Sequence, residues 1–510
     1  MQLRVSPLVA LCALFAASTS ALAQPAYSEL RQKSSHNSYQ RSEALLDQLV
    51  YHRIRSIELD IHNGKSGWSK VAGNWFVYHN DTEPQTTCHR LSDCLNELRA
   101  LHLANPNHEV VTVWIDLKDS FETDRMPQDL DTRITAHLPA AWLFKPSDVM
   151  TGCPGVNSLQ AAVTGACTWP THDQLRGRFI IVLTGGSVST STSKLNTYVS
   201  NGATAISRVG FIAPDLTSSS GISAKQYAVF FNMASPYASL TTHVHLANFV
   251  GRVWGVNDST AWSNVAGLNV NHIATDKVNY HVDPWAVTHN SQGWPFQCLE
   301  GWPCGGNQEP VDVLGTEVDS GDIWNSNDSF LFAHESNSAV TTTTWTASVS
   351  TPNSHVDEWG KACLMVRGGT ASNARYFSVC RTSDKHKLRI QYRTSVGGAS
   401  SSAEVDIVPA DTVDQQSLTF LKLTVQYDGT QTCASGYGSQ NGSTWKLIGG
   451  KCLAGLLANQ GLAASAHGSG KVKLLFSNVK RGSTLYRAAT FPNKTPIGGV
   501  NSWRVFDGFF

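Results

Sequence analysis

Two hydrophobic rhythms that no single kind of domain accommodates follow one another along this chain. From residue 24 to about 290, apolar runs of strand length alternate with segments of helical period; from about 326 the helical period disappears. The strand runs of the first part are IRSIELDIH (54–62), WFVYH (75–79), VVTVWIDLK (110–118), RFIIVLT (178–184), YAVFFNM (227–233), RVWGVN (252–257) and HIATD (272–276). Between them, Leu45, Leu46, Leu49 and Val50 share one helical face, as do Leu91, Cys94, Leu95, Leu98 and Leu101. Strands alternating with amphipathic helices are the units of a parallel sheet covered by helices. About 265 residues of such units fit one (β/α)8 TIM-type barrel, which takes about 250. A doubly wound sheet would also satisfy the alternation, but no glycine fingerprint follows an early strand.

The second rhythm is strand only. KACLMVRGG, RYFSVCRT, KLRIQYRT, LKLTVQYDG and KVKLLFSNV are short, turn-bounded runs, which predict an all-β antiparallel sandwich over 326–488. Residues 291–325 are rich in Gly, Pro and acids and read as a stapled loop and linker; 489–510 carries no period to assign.

The N-terminus has the order of a secretory signal over 1–23: Arg4, the apolar run PLVALCALFAA, then the small-residue pattern ALA. That run is too short to span a bilayer, so a secreted protein, extracellular or periplasmic and without a transmembrane anchor, is expected. Cysteine usage agrees with an oxidising compartment. Beyond Cys12, ten cysteines fall in close successive pairs: Cys88/Cys94, Cys153/Cys167, Cys298/Cys304, Cys363/Cys380 and Cys433/Cys452. Local disulfides are the natural reading, since no C-x-x-C pair offers a zinc site. Lys+Arg and Asp+Glu both number 39, which argues against a nucleic-acid partner.

The chemistry lies in the strands that break the apolar rule. SIELDIH places Glu58 and Asp60 on one face of a strand, and VTVWIDLKD does the same with Asp116 and Lys118. Carboxylates between apolar residues are costly unless a cation or hydrogen bonds compensate them. His36–Asn37, Glu58/Asp60, His79 and Asp116 all stand at ends of successive predicted strands, where a parallel barrel gathers its functional groups. Three carboxylates and an amide oxygen are hard ligands that suit Ca²⁺, with Mg²⁺ as the alternative. Two histidines beside them suit proton transfer near neutral pH. A metal that offsets anionic oxygens, with one base and one acid, describes phosphodiester cleavage. No H-E-x-x-H or G-x-S-x-G sequence is present, and Leu59 stands where a P-loop before Gly64-Lys65-Ser66 needs its first glycine.

SSHNSYQ, SIELDIH, VYHND and VTVWIDLKD, in this order and spacing, resemble secreted calcium-dependent phosphatidylinositol-specific phospholipase C proteins over about 30–290. The resemblance implies that His36 is the general base beside a substrate hydroxyl and that His79 protonates the leaving alkoxide. It implies that Asn37, Glu58, Asp60 and Asp116 hold Ca²⁺, and that the product forms through a cyclic inositol phosphate. The implied substrate is phosphatidylinositol or a glycosyl-phosphatidylinositol, met through transient contact with a membrane surface. The segment VWGVNDSTAWSNVAGLNVNHIATDK also resembles glycerophosphodiester phosphodiesterases and sphingomyelinase D proteins, and WIDLK the latter group; these are the alternative activities. Lys118, Trp254 and Asn257 are substrate-contact candidates. The C-terminal strands resemble the concanavalin-like modules of secreted bacterial enzymes, which implies glycan or surface binding. A non-enzymatic glycan- or surface-binding protein with a scaffold barrel is the remaining reading, and the full set of both histidines and all four candidate ligands argues against it.

Overall fold

The computed structural model describes residues 24–507 except 166, 201, 289–294, 300–312, 338–341, 352–356, 384–386, 407–418, 469–471, 487–490, 499, 501 and 502. The expected signal, residues 1–23, lies outside them. Nine strands build the first half: β1 (Leu30–Ser35), β2 (Ser56–His62), β3 (Phe76–Val77), β4 (Val111–Leu117), β5 (Phe179–Thr184), β6 (Phe211–Ile212), β7 (Phe230–Ala234), β8 (Val250–Trp254) and β9 (His272–Thr275). All but β3 pair in parallel, in the order β6-β5-β4-β2-β1-β9-β8-β7. A parallel bridge between Asp215 and Asn232 joins the two ends of that order and closes the barrel. This is the expected TIM-type architecture.

Its staves differ in part from those expected. WFVYH is not a stave: β3 runs antiparallel to the end of β2, with Ile61 opposite Val77 and His62 opposite Phe76. The eight staves are completed by β1, the strand expected to end at His36–Asn37, and by β6, which is only Phe211–Ile212 long. A two-residue stave has no readable period, whereas WFVYH has the composition of a strand and pairs locally instead.

The helices follow the sequence pattern. α1 (Leu45–Val50) and α2 (Leu91–Ala104) bury the leucines that share their faces. At the start of α2, the Asp93 carboxylate accepts from the Arg90 amide at 3.0 Å, which satisfies one orphan donor of the helix end. Inside the barrel, Trp114 donates to Ser56 Oγ at 3.1 Å, and His272 Nδ1 lies 2.9 Å from the same hydroxyl. These groups plug the barrel beneath the mouth, so the site above them has a floor.

At the opposite end, Glu109 is fully buried between Arg55, at 2.8 Å, and Arg53, at 3.7 Å. Burial opposes its charge, yet the two guanidinium groups pull its carboxyl down to about 2. A depressed carboxyl contributes stability that is complete above its unfolded value and is lost as pH falls toward the folded one. Glu109→Gln leaves both arginines without their counter-charge and is expected to cost about 3–5 kcal/mol. Chemical denaturation at neutral pH checks this, and the gap between variant and wild type should narrow as pH is lowered from 4.5 toward 2.

The second half folds into two antiparallel sheets, of eight and seven strands, around a core that includes Trp345, Leu364, Phe377, Leu423 and Phe476. Strands were expected only from 326 to 488, but Val313–Val318 and Trp503–Asp507 both belong to the eight-stranded sheet, and Asn493–Ile497 ends the seven-stranded one. Phe296–Cys298, also in the expected linker, pairs with β1. These strands gain their order from non-local partners, which composition does not reveal. Disulfides join Cys88–Cys94, Cys153–Cys167, Cys363–Cys380 and Cys433–Cys452 as expected. Cys304, the expected partner of Cys298, lies outside the described residues. The sandwich shares Val313 and Leu475 with the barrel core, and Lys473 pairs with Glu97 of α2 across buried surface.

Candidate active site

The site begins where β1 ends. The His36 amide donates to Thr275 of β9 at 3.0 Å, and Asn37 then turns the chain through a left-handed conformation with φ 45°. That turn points the Asn37 amide at Glu58 Oε2, 2.9 Å away, while Ser38 Oγ accepts from the Glu58 amide at 2.8 Å. The His-Asn-Ser run therefore clasps the end of β2. Asn is among the residues that tolerate φ > 0, so the turn and the placement of its amide side chain come together.

Asp60 and Asp116 face each other in register across β2 and β4. Carboxylate oxygens of Glu58, Asp60 and Asp116 all lie within 4.8 Å of one another. Three carboxylates this close need positive charge. Arg252, fully buried on β8, brings Nη2 to 2.7 Å from Glu58 Oε2. Lys118 Nζ lies 2.9 Å from Asp60 Oδ2 and 2.5 Å from Asp116 Oδ2. Burial works against the charge of Asp60, but the His79 hydrogen bond and Lys118 outweigh it and hold its carboxyl below the usual range. Asp116 is pushed the other way, by burial and by the charge of Asp60.

His79 reaches the cluster because β3 folds back along β2. Its Nδ1 lies 3.2 Å from Asp60 Oδ2 and 3.4 Å from Asn37 Nδ2, and the bond to Asp60 raises its pKa. His36 stands on the other side, with Nε2 3.9 Å from Glu58 Oε2 and Nδ1 2.9 Å from Asp276 Oδ1. Its ring is stacked against Trp254 at the end of β8, 5.9 Å between centroids and 10° between planes.

Of the sequence candidates, the structure thus brings His36, Asn37, Glu58, Asp60, His79, Asp116 and Lys118 together, with Trp254 against His36. Asn257 is one step removed: its Nδ2 donates to Asp276 Oδ2 at 2.7 Å and its Oδ1 accepts from the Asp276 amide. Lys118, expected at the substrate, is here the counter-ion of two carboxylates. Three charged residues were missed. Asp276 ends HIATD and so met the strand-end rule that found the others. Arg252 is a charge inside an apolar strand, the same signal that exposed Glu58. Arg41, 3.1 Å from Asp276 Oδ1, carried no signal.

The donor set fits a hard divalent cation. Its oxygens are carboxylates that lie within 4.8 Å of one another, and Asp60 Oδ1 is buried and takes no bond from His79 or Lys118, which both engage Oδ2. Among the described residues no helix is long and apolar enough to cross a membrane.

Fold and site together define a TIM-type barrel with an acidic cluster between two imidazoles at the C-terminal mouth. Residues 69–225 match the model of the family described as phosphoinositide phospholipase C, Ca²⁺-dependent. This match agrees with the resemblance read from the VYHND and VTVWIDLKD elements, which lie inside the matched stretch. The matched stretch contains His79, Asp116 and Lys118, while His36, Asn37, Glu58 and Asp60 precede it. Among curated proteins, none matches. Solved structures similar to this chain include a calcium-dependent phosphoinositol-specific phospholipase C from a Gram-negative Pseudomonas species, at 24% identity and TM-score 0.45, covering 54% of this chain and 95% of that one. A Ca²⁺-dependent phosphatidylinositol-specific phospholipase C from Streptomyces antibioticus follows at 18% identity and TM-score 0.42, covering 51% and 97%. A glycerophosphodiester phosphodiesterase from Parabacteroides distasonis matches at 11% identity and TM-score 0.29, covering 50% and 96%. Likenesses at this level carry no functional argument; the family match and the geometry do.

Proposed function

We propose that this protein is a secreted, Ca²⁺-dependent phosphodiesterase that cleaves phosphatidylinositol-type lipids, glycosyl-phosphatidylinositols included, on the phosphate's glycerol side. The observation that carries the reading is the convergence of Glu58, Asp60 and Asp116 within 4.8 Å, with His36 and His79 flanking the cluster. Glu58, Asp60, Asp116 and the Asn37 amide oxygen would hold Ca²⁺, the ion named by the matched family; the Mg²⁺ alternative has no support there. When bound, the ion supplies positive charge to the non-bridging phosphate oxygens and favours ionisation of the attacking hydroxyl.

The proton transfers belong to this chain's own residues. Asp276 engages His36 at Nδ1, which leaves Nε2 to take the proton of the inositol 2-hydroxyl as its oxygen attacks phosphorus. Asp60 engages His79 at Nδ1 and favours its protonated form, so Nε2 delivers a proton to the departing glycerol oxygen. Diacylglycerol leaves and a cyclic inositol phosphate remains; water, activated by reversal of these roles, opens the ring. Trp254, 37% exposed, and Tyr237, 41% exposed, stand at or just beyond strand ends at the mouth and support contact with a lipid surface. The signal-like N-terminus and the four disulfides among the described residues support secretion. The resemblance of the sandwich supports glycan binding as its part in surface retention.

Incubation with phosphatidylinositol, glycerophosphoinositol, sphingomyelin and lysophosphatidylcholine, with and without EGTA, tests the reading. The expected result is release of diacylglycerol from phosphatidylinositol, abolished by the chelator and restored by Ca²⁺. Choline-lipid turnover alone would assign the sphingomyelinase D-like alternative, and turnover of glycerophosphoinositol alone the glycerophosphodiesterase one. Inertness toward all four would favour the scaffold reading.

A further inference from the structure

Lys118 occupies an unusual position for a residue beside a cation site. Its Nζ contacts one oxygen of Asp60 and one of Asp116 at once, at 2.9 and 2.5 Å. Those two residues contribute two of the three carboxylates that approach within 4.8 Å. The ammonium therefore sits among the groups a metal would use. The third carboxylate is differently placed: Glu58 has its own fixed partner in Arg252, whose guanidinium is also tied to Asn232 at 2.9 Å and stacked on Trp114. Arg252 is fully buried and anchored on three sides. Among the described residues the Lys118 ammonium is held by the two carboxylates, and its side chain is 28% exposed.

Two cations cannot contact the same pair of largely buried oxygens without strong repulsion. A flexible four-carbon stem with an open side is the group that yields, and a locked guanidinium is not. We propose that Lys118 is a tethered counter-ion: it holds Asp60 and Asp116 together in the metal-free protein and is displaced from them when the divalent cation binds. The device offsets the mutual repulsion of the carboxylates whenever no divalent cation is bound, at the expense of metal affinity. This inference rests on the metal-site reading of Glu58, Asp60 and Asp116 given above.

Two measurements on the full-length protein test it without using turnover. First, the protein is stripped of divalent ions and its lysines are labelled by reductive methylation, with and without saturating Ca²⁺, and read by peptide mass spectrometry. Labelling of Lys118 is expected to rise several-fold with Ca²⁺; unchanged or reduced labelling overturns the proposal. Second, Ca²⁺ binding is measured by calorimetry for wild type and for Lys118→Met. The variant is expected to bind at least ~10-fold more tightly. Its melting temperature without metal should fall below that of wild type, and Ca²⁺ should raise it by more. Equal affinity in both proteins overturns the displacement while leaving the metal site standing. Absence of binding in both removes the metal site and the proposal with it, and binding by the variant alone supports the competition directly.

Discussion

His36→Ala is expected to lower turnover of phosphatidylinositol by at least ~10²-fold, the usual scale of general base help. Truncation removes an imidazole that stands 3.9 Å from Glu58 Oε2 and is oriented by the Asp276 carboxylate at its other nitrogen, 2.9 Å away. A graded comparison separates chemistry from structure. Asp276→Asn keeps the shape of the contact but exchanges an acceptor carboxylate for an amide. The ring then loses the partner that fixes its Nδ1 proton, and kcat falls while KM stays close to wild type. Steady-state kinetics on both variants, with circular dichroism to verify folding, checks this. A folded His36→Ala protein with normal kcat would remove that residue from the mechanism.

Asp60→Asn is the second large effect, and it falls on the metal. Asp60 is the hub of the site: it contacts His79 and Lys118 through Oδ2, bonds with the Tyr39 hydroxyl, and keeps Oδ1 buried. An amide there supplies one neutral oxygen where an anion stood and places an NH₂ group against cations. The Ca²⁺ concentration for half-maximal activity is expected to rise by ~10²-fold or more, since each lost charge contact with a divalent ion removes several kcal/mol before solvent compensates. His79, deprived of the bond that raises its pKa, should also lose its acid form at lower pH. A Ca²⁺ titration of activity at two pH values distinguishes these effects. An unchanged requirement would remove Asp60 from the ligand set.

The candidate ligands were legible because they violate local pattern. A carboxylate between isoleucine and leucine on a buried strand needs a reason, and Glu58, Asp60 and Asp116 share one. His79 was found for a partly mistaken reason. It was expected at the end of a barrel stave, whereas it arrives on β3, a two-residue antiparallel strand that folds back over β2. The helical half of each unit was equally plain, since leucines at helical spacing in α2 have no other economical use.

What local pattern settled is therefore the alternation of strand and helix, the switch to an all-β module, the short-range cysteine pairs, and the types of ligand. Each depends on residues within a few positions of one another along the chain. Everything that needs two distant segments to meet was decided only in three dimensions. Asp276 stands 240 residues from His36, and Arg252 reaches Glu58 from a strand on the far side of the barrel order. The closing strand β6, the outer strands of the sandwich and the seat of Lys118 between two carboxylates belong to the same class. Strand pairing and charge pairing across a closed barrel reward contacts whose partners leave no periodic trace near either residue, so the shape of the site emerges with the fold.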